Sequence, residues 1–245
     1  MSLTIAPERL KDATRLIYRR LARAHSTNLS EAPVPSGETL ARTLGYDPDG
    51  LALPIAAWDL FAGCGNPHEY TALQPDWRVL DLGCGVGIDT QIAAIRLKGP
   101  GLAIGLDYTR ELLDLARAYT SSHLRNRCIW LAGDGEDLPL RAESIHVAFA
   151  NGSFNLMPRK ASLLREIRRV LVPSGRLIVT DLVRIGDLGT FGEGFEDAWA
   201  WCVAGALAPE EYEPLLAGAG FSRWELRPTK EYGPLAGAVL IAHKG

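Results

Sequence analysis

The 245-residue chain has no apolar run approaching the roughly 20 residues that a membrane-spanning helix needs, so no spanning segment is expected. It has no surplus of positive charge. Twenty-six Lys and Arg face 29 Asp and Glu, a net charge of −3, which argues against a general attraction to nucleic acid or to anionic membranes. Cysteine is scarce, with four residues at Cys64, Cys84, Cys128 and Cys202, and no C-x-x-C pair exists to suggest structural zinc. The N-terminal stretch lacks the apolar core of a signal peptide, because Arg15, Arg19, Arg20 and Arg23 interrupt it. A cytoplasmic location is therefore expected, and a disulfide framework is not. Internal repeats and low-complexity tracts are absent. What remains is ordinary for a globular protein: 47% hydrophobic and 22% charged residues. The length suits one large domain with decorations, or at most two small ones.

The most informative stretch is Val79 to Asp89, V-L-D-L-G-C-G-V-G-I-D. A short apolar run carries Asp81, glycines follow at 83, 85 and 87, and a helical pattern opens at Ile88. Such a strand, turn and helix start needs glycine where the backbone turns tightly and passes close to a ligand. The free N–H groups of the helix then face that ligand. A dinucleotide fingerprint would place its third glycine at position 88, which is Ile. The preceding carboxylate, Asp81, suits a cationic, amine-bearing ligand better than a pyrophosphate, which it would repel.

Around this stretch, strands and helices alternate from Trp77 onward. Strands are expected at Arg78 to Leu82, Gly101 to Leu106, Cys128 to Ala132, Ile145 to Ala150 and Arg176 to Thr180. Helices are expected at Ile88 to Leu97, Arg110 to about Ser121 with Thr109 as its cap, and Pro158 to Val170. This alternation predicts a parallel sheet with helices on both faces, and ligands then bind outside the carboxyl ends of the strands. Asp107, Asp134, Asn151 and Asp181 are expected at those ends. In the tail, Gly186 to Gly194 reads as a loop and Pro209 to Ala217 as a helix. Phe221 to Leu226 and Ala238 to Ala242 read as strands separated by a loop with Pro228 and Gly233. Ahead of the alternation, Pro7 to Ala24 reads as an amphipathic helix with a Leu10, Ala13, Leu16, Ile17, Leu21 stripe and its arginines in water. A loop with a short helix near Thr39 to Leu44 follows, and then Gly63-Cys64-Gly65-Asn66-Pro67, a sharp turn expected to expose a thiol. His68 is open to two readings, a surface turn residue or a base.

Asp81-Leu82-Gly83-Cys84-Gly85-Val86-Gly87 resembles motif I of the class I S-adenosylmethionine-dependent methyltransferases. The resemblance implies an α/β, doubly wound, Rossmann-like sheet of seven strands with the last antiparallel. It divides the chain into an N-terminal helical cap with the Cys64 loop (1–76) and an S-adenosyl-L-methionine-binding domain (77–245). Cofactor contacts are then expected from Asp81, Gly83, Cys84 and Gly85, and from Asp107 and Tyr108. Asp107 stands 24 residues after Gly83, near the spacing of a ribose-binding carboxylate. Gly133, Asp134 and Gly135 resemble the adenine-side loop, and Asn151 would face the methyl-bearing region.

Short segments narrow the resemblance to arsenite methyltransferases. These are Leu44-Gly45-Tyr46, Gly63-Cys64-Gly65-Asn66-Pro67, Trp201-Cys202-Val203-Ala204-Gly205-Ala206 and Glu166-Ile167-Arg168-Arg169-Val170-Leu171. In that family another cysteine follows the asparagine after strand four. Here the position is Gly152, which leaves Cys64 and Cys202 as the candidate thiols for a soft trivalent arsenical. The competing reading is a small organic acceptor in a pocket lined by Phe154, Phe191, Trp199 and Trp201. A non-catalytic cofactor-binding regulator would be expected to carry a damaged motif I, and this one is intact. A nucleic-acid methyltransferase is disfavoured by the acidic balance and by Asn151-Gly152-Ser153-Phe154 where Asn-Pro-Pro-aromatic would stand.

Overall fold

The structure, a computed structural model, describes residues 5–24, 36–51, 53–189 and 194–245. Seven strands form one sheet: β1 (Arg78–Leu82), β2 (Leu102–Asp107), β3 (Cys128–Ala132), β4 (Ile145–Asn151), β5 (Leu171–Arg184), β6 (Arg223–Tyr232) and β7 (Leu235–His243). Their spatial order is β3-β2-β1-β4-β5-β7-β6. The first five pair in parallel, and β7 enters antiparallel between β5 and β6. The helices are α1 (Pro7–Ala24), α2 (Gly37–Thr43), α3 (Ile55–Trp58), α4 (Ile88–Leu97), α5 (Arg110–Tyr119), α6 (Lys160–Val170), α7 (Phe195–Ala200) and α8 (Pro209–Ala219).

Alternating side chains send the strands' apolar residues to two cores. Leu80, Leu82, Ala148 and Leu177 face Leu163 and Ile167 of α6 and Leu216 of α8. Val79, Ala103, Phe149 and Ile178 face Ala93, Ala94 and Leu97 of α4. The chain reverses its direction across the sheet between β1 and β4, and a crevice opens at that switch point, where ligands bind in such sheets. The N-terminal helices share a third cluster with the sheet's own helices: Leu21, Ala41 and Trp58 pack with Ile88 and Ile92 of α4 and Leu112 of α5. Among the described residues no helix is long and apolar enough to cross a membrane.

Four expectations about elements need correction. β5 does not stop at Thr180. It runs to Arg184, paired residue by residue with β7, so Asp181 lies inside a strand and is 2% exposed. Pro228 is within β6 rather than in a loop, and Gly233-Pro234 makes the whole connection to β7. Leu16 on α1 faces solvent, while Leu10 and Leu21 of the same helix are buried. Thr109 occupies the first position before α5 as expected, but its side chain makes no capping hydrogen bond.

Candidate active site

The turn after β1 is built on left-handed backbone. Gly83, Gly85 and Gly87 have φ of 66°, 55° and 81°, a region that glycine occupies without a Cβ penalty. Gly83 N and Cys84 N both donate to Leu106 O, which ties the turn to the end of β2. Asp107 completes that tie: its Oδ2 accepts from Gly85 N at 2.9 Å and its Oδ1 from Thr109 N at 2.7 Å. A Cβ at Gly85 would meet nothing within 4 Å, so this point of the turn looks into open space.

That space is a cavity over the carboxyl ends of β1, β2, β3 and β4. Asp81, Gly83, Cys84 and Gly85 border it from the first turn, Asp107 and Tyr108 from the second, Gly133, Asp134 and Gly135 from the third, and Asn151 from the fourth. The remaining wall is largely apolar, with Leu60, Phe61, Leu156 and Met157. α1 closes the outer side with Lys11, Thr14, Arg15 and Tyr18. Sequence reasoning missed these four, although they recur at helical spacing along one face of α1. Lys11 Nζ lies 2.5 Å from both Asp134 Oδ2 and Glu136 Oε2. Burial pulls the Lys11 pKa down, but hydrogen bonds to the two carboxylates outweigh it and the net shift is upward. Arg15 is exposed, as expected, and its guanidinium carbon lies 5.4 Å from the centre of the Tyr108 ring.

Three buried carboxylates crowd this end of the sheet: Asp81, Asp89 and Asp107, at 2%, 7% and 7% exposure. Burial and then the Asp89 charge push the Asp81 carboxyl up to about 8, against the pull of its hydrogen bond from Thr90 Oγ1 at 2.6 Å. Asp107 is raised as well, chiefly by burial, although its bonds from Thr109 and Gly85 hold it back.

Beside the cavity the chain brings together the two singled-out cysteines. The Cys64 thiol is not exposed as expected. It is half-buried, its Sγ points to Asp181 Oδ1 at 3.7 Å, and it packs against the cluster that holds Cys202. Cys202 is 4% exposed, takes a left-handed φ of 64° just after α7, and donates from Sγ to Gly152 O at 3.1 Å. Leu182, Val203 and Leu235 surround the pair. The neighbouring Cys64 thiol, and then burial, hold the Cys202 thiol well above its ordinary range. For Cys64 the neighbouring Cys202 thiol pulls down, but burial and the Asp181 charge outweigh it and the net direction is upward. Asp181 itself is pushed up to about 6 by burial, with Asn155 N and Leu182 N donating to it. Neither thiol borders the cavity wall; Gly63 and Gly152, their neighbours, do.

The three described residues of the expected aromatic pocket do not line the cavity. Phe154 is fully buried in the core and stacks on Tyr212, with centroids 6.0 Å apart. Trp199 is 8% exposed, with its indole N–H donated to Leu156 O, and Trp201 packs on Tyr18. Phe191 lies outside the described residues. His68 is not a surface residue. It is 2% exposed, its ring meets Phe149 edge-on, and its Nε2 lies 3.1 Å from Asp89 Oδ1 outside hydrogen-bonding geometry. Cys84, Asp134 and Asn151 are each engaged within the protein: Cys84 Sγ approaches Gly85 O, Asp134 takes Lys11, and the Asn151 carboxamide is spent on the Cys64 loop. Among the described residues no group of three or more side chains forms a metal-binding cluster.

The methyltransferase domain family matches residues 73–220. The arsenite methyltransferase of Halobacterium salinarum is 35% identical over 188 residues, which are 77% of this chain and 48% of that protein. The methyltransferase GfsG of Streptomyces halstedii is 31% identical over 205 residues, 81% of this chain and 72% of that one. The chain therefore spans about half the length of the arsenite methyltransferase and most of GfsG. Among solved structures, an arsenic(III) S-adenosylmethionine methyltransferase from Chlamydomonas reinhardtii superposes with a TM-score of 0.65 at 24% identity, covering 86% of this chain and 74% of that one. At that identity the likeness is one of fold.

Proposed function

Because the chain belongs to the methyltransferase domain family, we propose that it transfers a methyl group from S-adenosylmethionine to a trivalent arsenical held by Cys64 and Cys202. The observation that carries the reading is the convergence of these two thiols, from a loop before β1 and from the end of α7, beside the cavity that the glycine turn opens.

The cavity suits the cofactor in shape and charge. The left-handed turn at Gly83 and Gly85 lets backbone approach a ligand where side chains would stand in the way. A bound ammonium group would displace the proton that Asp81 keeps in the cofactor-free protein, and Asp107 offers a carboxylate to ribose hydroxyls, both as charge-assisted hydrogen bonds. Gly133 and Gly135 border the cavity beside Asp134, where the adenine end is expected. When bound, S-adenosylmethionine supplies an electrophilic methyl group on a sulfonium sulfur. The protein's task is then to align donor and acceptor and to exclude water. α1, with Tyr18 and Leu21, covers the cavity and serves the second task.

The two thiols suit a soft acceptor. Both are held protonated by burial, and the exchange needs no ionised thiol. As each arsenic–sulfur bond forms, an arsenic-bound hydroxide leaves and takes the thiol proton as water. No charge builds up in the apolar surroundings of Leu182 and Leu235. A third thiol has no place at residue 152. Its φ is 65°, and a Cβ there would lie 2.7 Å from Ala62 O. Two thiols fill two valences of arsenic, which suits an arsenical whose third valence already carries an organic group.

A second reading draws on the cavity wall. Neither thiol borders it, and Leu60, Phe61, Leu156 and Met157 form an apolar bed for a small organic acceptor. One assay separates the two. The protein is incubated with labelled cofactor and methylarsenite, arsenite or a panel of small organic acceptors. Methylated arsenic formed by the wild type and lost in both Cys64→Ser and Cys202→Ser supports the thiol reading. Turnover of an organic acceptor, indifferent to both changes, replaces it with the second.

A further inference from the structure

We propose that Asn151 is a positioning residue for the substrate thiol: its carboxamide is the seat that holds the Cys64 loop toward Cys202, and Tyr46 and Asp89 fix which way that carboxamide faces. The purpose assigned to the seat rests on the thiol reading above; its geometry does not.

Asn151 ends β4 at the switch point of the sheet. Its Oδ1 accepts from Cys64 N at 2.8 Å, Gly65 N at 3.2 Å and Thr180 Oγ1 at 2.9 Å. Its Nδ2 faces Gly65 O at 3.0 Å, Asp89 Oδ2 at 2.9 Å and the Tyr46 hydroxyl at 3.0 Å. A carboxamide has two N–H donors and two oxygen lone pairs. These partners use all of them, so no polar atom of the side chain is left for a ligand in the cavity.

The surroundings permit one orientation of the amide. The Tyr46 hydroxyl gives its proton to Asp89 Oδ1 at 2.7 Å, so toward Asn151 it is an acceptor. Asp89 accepts as well. The side toward α4 therefore demands N–H, and the side toward the Cys64 loop, with two backbone N–H groups and a hydroxyl, demands oxygen. A flipped amide would set N–H against N–H on one side and oxygen against a carboxylate on the other. Tyr46 and Asp89 are each 7% exposed, so water does not relieve that mismatch.

The same seat accounts for the glycines that flank Cys64. A Cβ at position 63 would lie 2.5 Å from Asn151 Nδ2, and one at position 65 would lie 2.8 Å from Thr180 Cβ. The loop lies flat on Asn151 and Thr180 because its neighbours to the cysteine have no side chains. Cys64 then projects the one side chain of this turn, toward Asp181 and Cys202.

The test compares iodoacetamide labelling of each cysteine in the intact full-length protein, mapped by mass spectrometry, with cofactor affinity measured by calorimetry. In Asn151→Ala, Cys64 is expected to be labelled at least tenfold faster. Cys128, remote in β3, should change less than twofold, and S-adenosylmethionine affinity less than threefold. In turnover with an alkylated arsenical, KM should rise more than kcat falls. If Asn151→Ala does not fold, Thr180→Val removes one hydrogen bond to the same oxygen at almost constant volume, and a twofold or greater acceleration at Cys64 is expected. Labelling of Cys64 within twofold of wild type in the folded variants overturns the proposal. So does a tenfold loss of cofactor affinity with Cys64 labelling unchanged, which would make Asn151 a cofactor ligand instead. Absence of arsenical turnover in the wild type would sink the substrate reading alone, because labelling uses neither substrate nor cofactor.

Discussion

Asp81→Asn should stabilise the cofactor-free protein near neutral pH and weaken cofactor binding. Asp81 is 2% exposed, shares its surroundings with Asp89 and Asp107, and is pushed up to about 8 by burial and then by Asp89. Its ordinary value is 3.8. The unfolded chain therefore releases this proton above about pH 4, while the folded chain keeps it to about pH 8. Folding is favoured by this group most fully at low pH, and the contribution is lost as pH rises through that window, at up to ~1.4 kcal/mol per unit. At pH 7 the ceiling on the penalty is about 4 kcal/mol by the same slope. Taking half of it, for relaxation around the carboxyl, leaves about 2 kcal/mol, or roughly 4–8 °C in Tm for a chain of this size. The amide keeps an oxygen for Thr90 and never ionises. Thermal unfolding of both proteins across pH 5 to 8.5 should show wild type losing Tm with rising pH relative to the variant. Calorimetry at pH 7.5 should show S-adenosylmethionine affinity lower by roughly 10- to 100-fold, the worth of one charged hydrogen bond. Two Tm profiles that run parallel, or a variant that binds as well as wild type, would refute the reasoning.

Burial pushes Lys160 down to about 8, with its Nζ over the Trp199 ring at 5.1 Å, so the folded chain releases this proton before the unfolded one. Wild-type stability should therefore gain from this group between pH 8 and 10.5, and denaturant midpoints of Lys160→Met should lack that gain. Gly152→Cys should not restore a third thiol: the left-handed φ of 65° and the approach to Ala62 O should destabilise by about 2 kcal/mol, read as a Tm lower by roughly 4–8 °C. Asp107→Ala should lower cofactor affinity by at least about tenfold, the value of one charge-assisted hydrogen bond. It should also loosen the glycine turn, because Gly85 N loses its partner, and amide exchange at Gly85 and Thr109 should accelerate.

Much of the scaffold is legible in the residue pattern. The apolar runs from Arg78 to Leu82 and from Ile145 to Asn151 form strands, and the glycines at 83, 85 and 87 form the turn, because local backbone chemistry decides both. The extension of β5 to Arg184 is not legible. Asp181 reads locally as a strand end, and only pairing with β7 carries the strand past it. Lys11, Arg15 and Tyr18 on α1 were missed for a related reason. Helical periodicity identifies the helix and its buried stripe, but the cavity it covers belongs to elements distant in sequence. Phe154 misled in the opposite direction, since an aromatic after a strand end is equally at home in a pocket and in the core where it lies.

The order of strand, glycine turn and acidic strand ends is written in short stretches of chain, each governed by torsional preference and by the burial of neighbouring apolar residues. Whether a thiol is exposed, which way an asparagine amide faces and whether a carboxyl keeps its proton depend on groups that the chain brings together only when the sheet closes. Cys64, Asn151 and Asp81 carry no local sign of Cys202, Tyr46 or Asp89, and their chemistry was decided by tertiary structure, because desolvation and hydrogen-bond partners at those sites come from other elements.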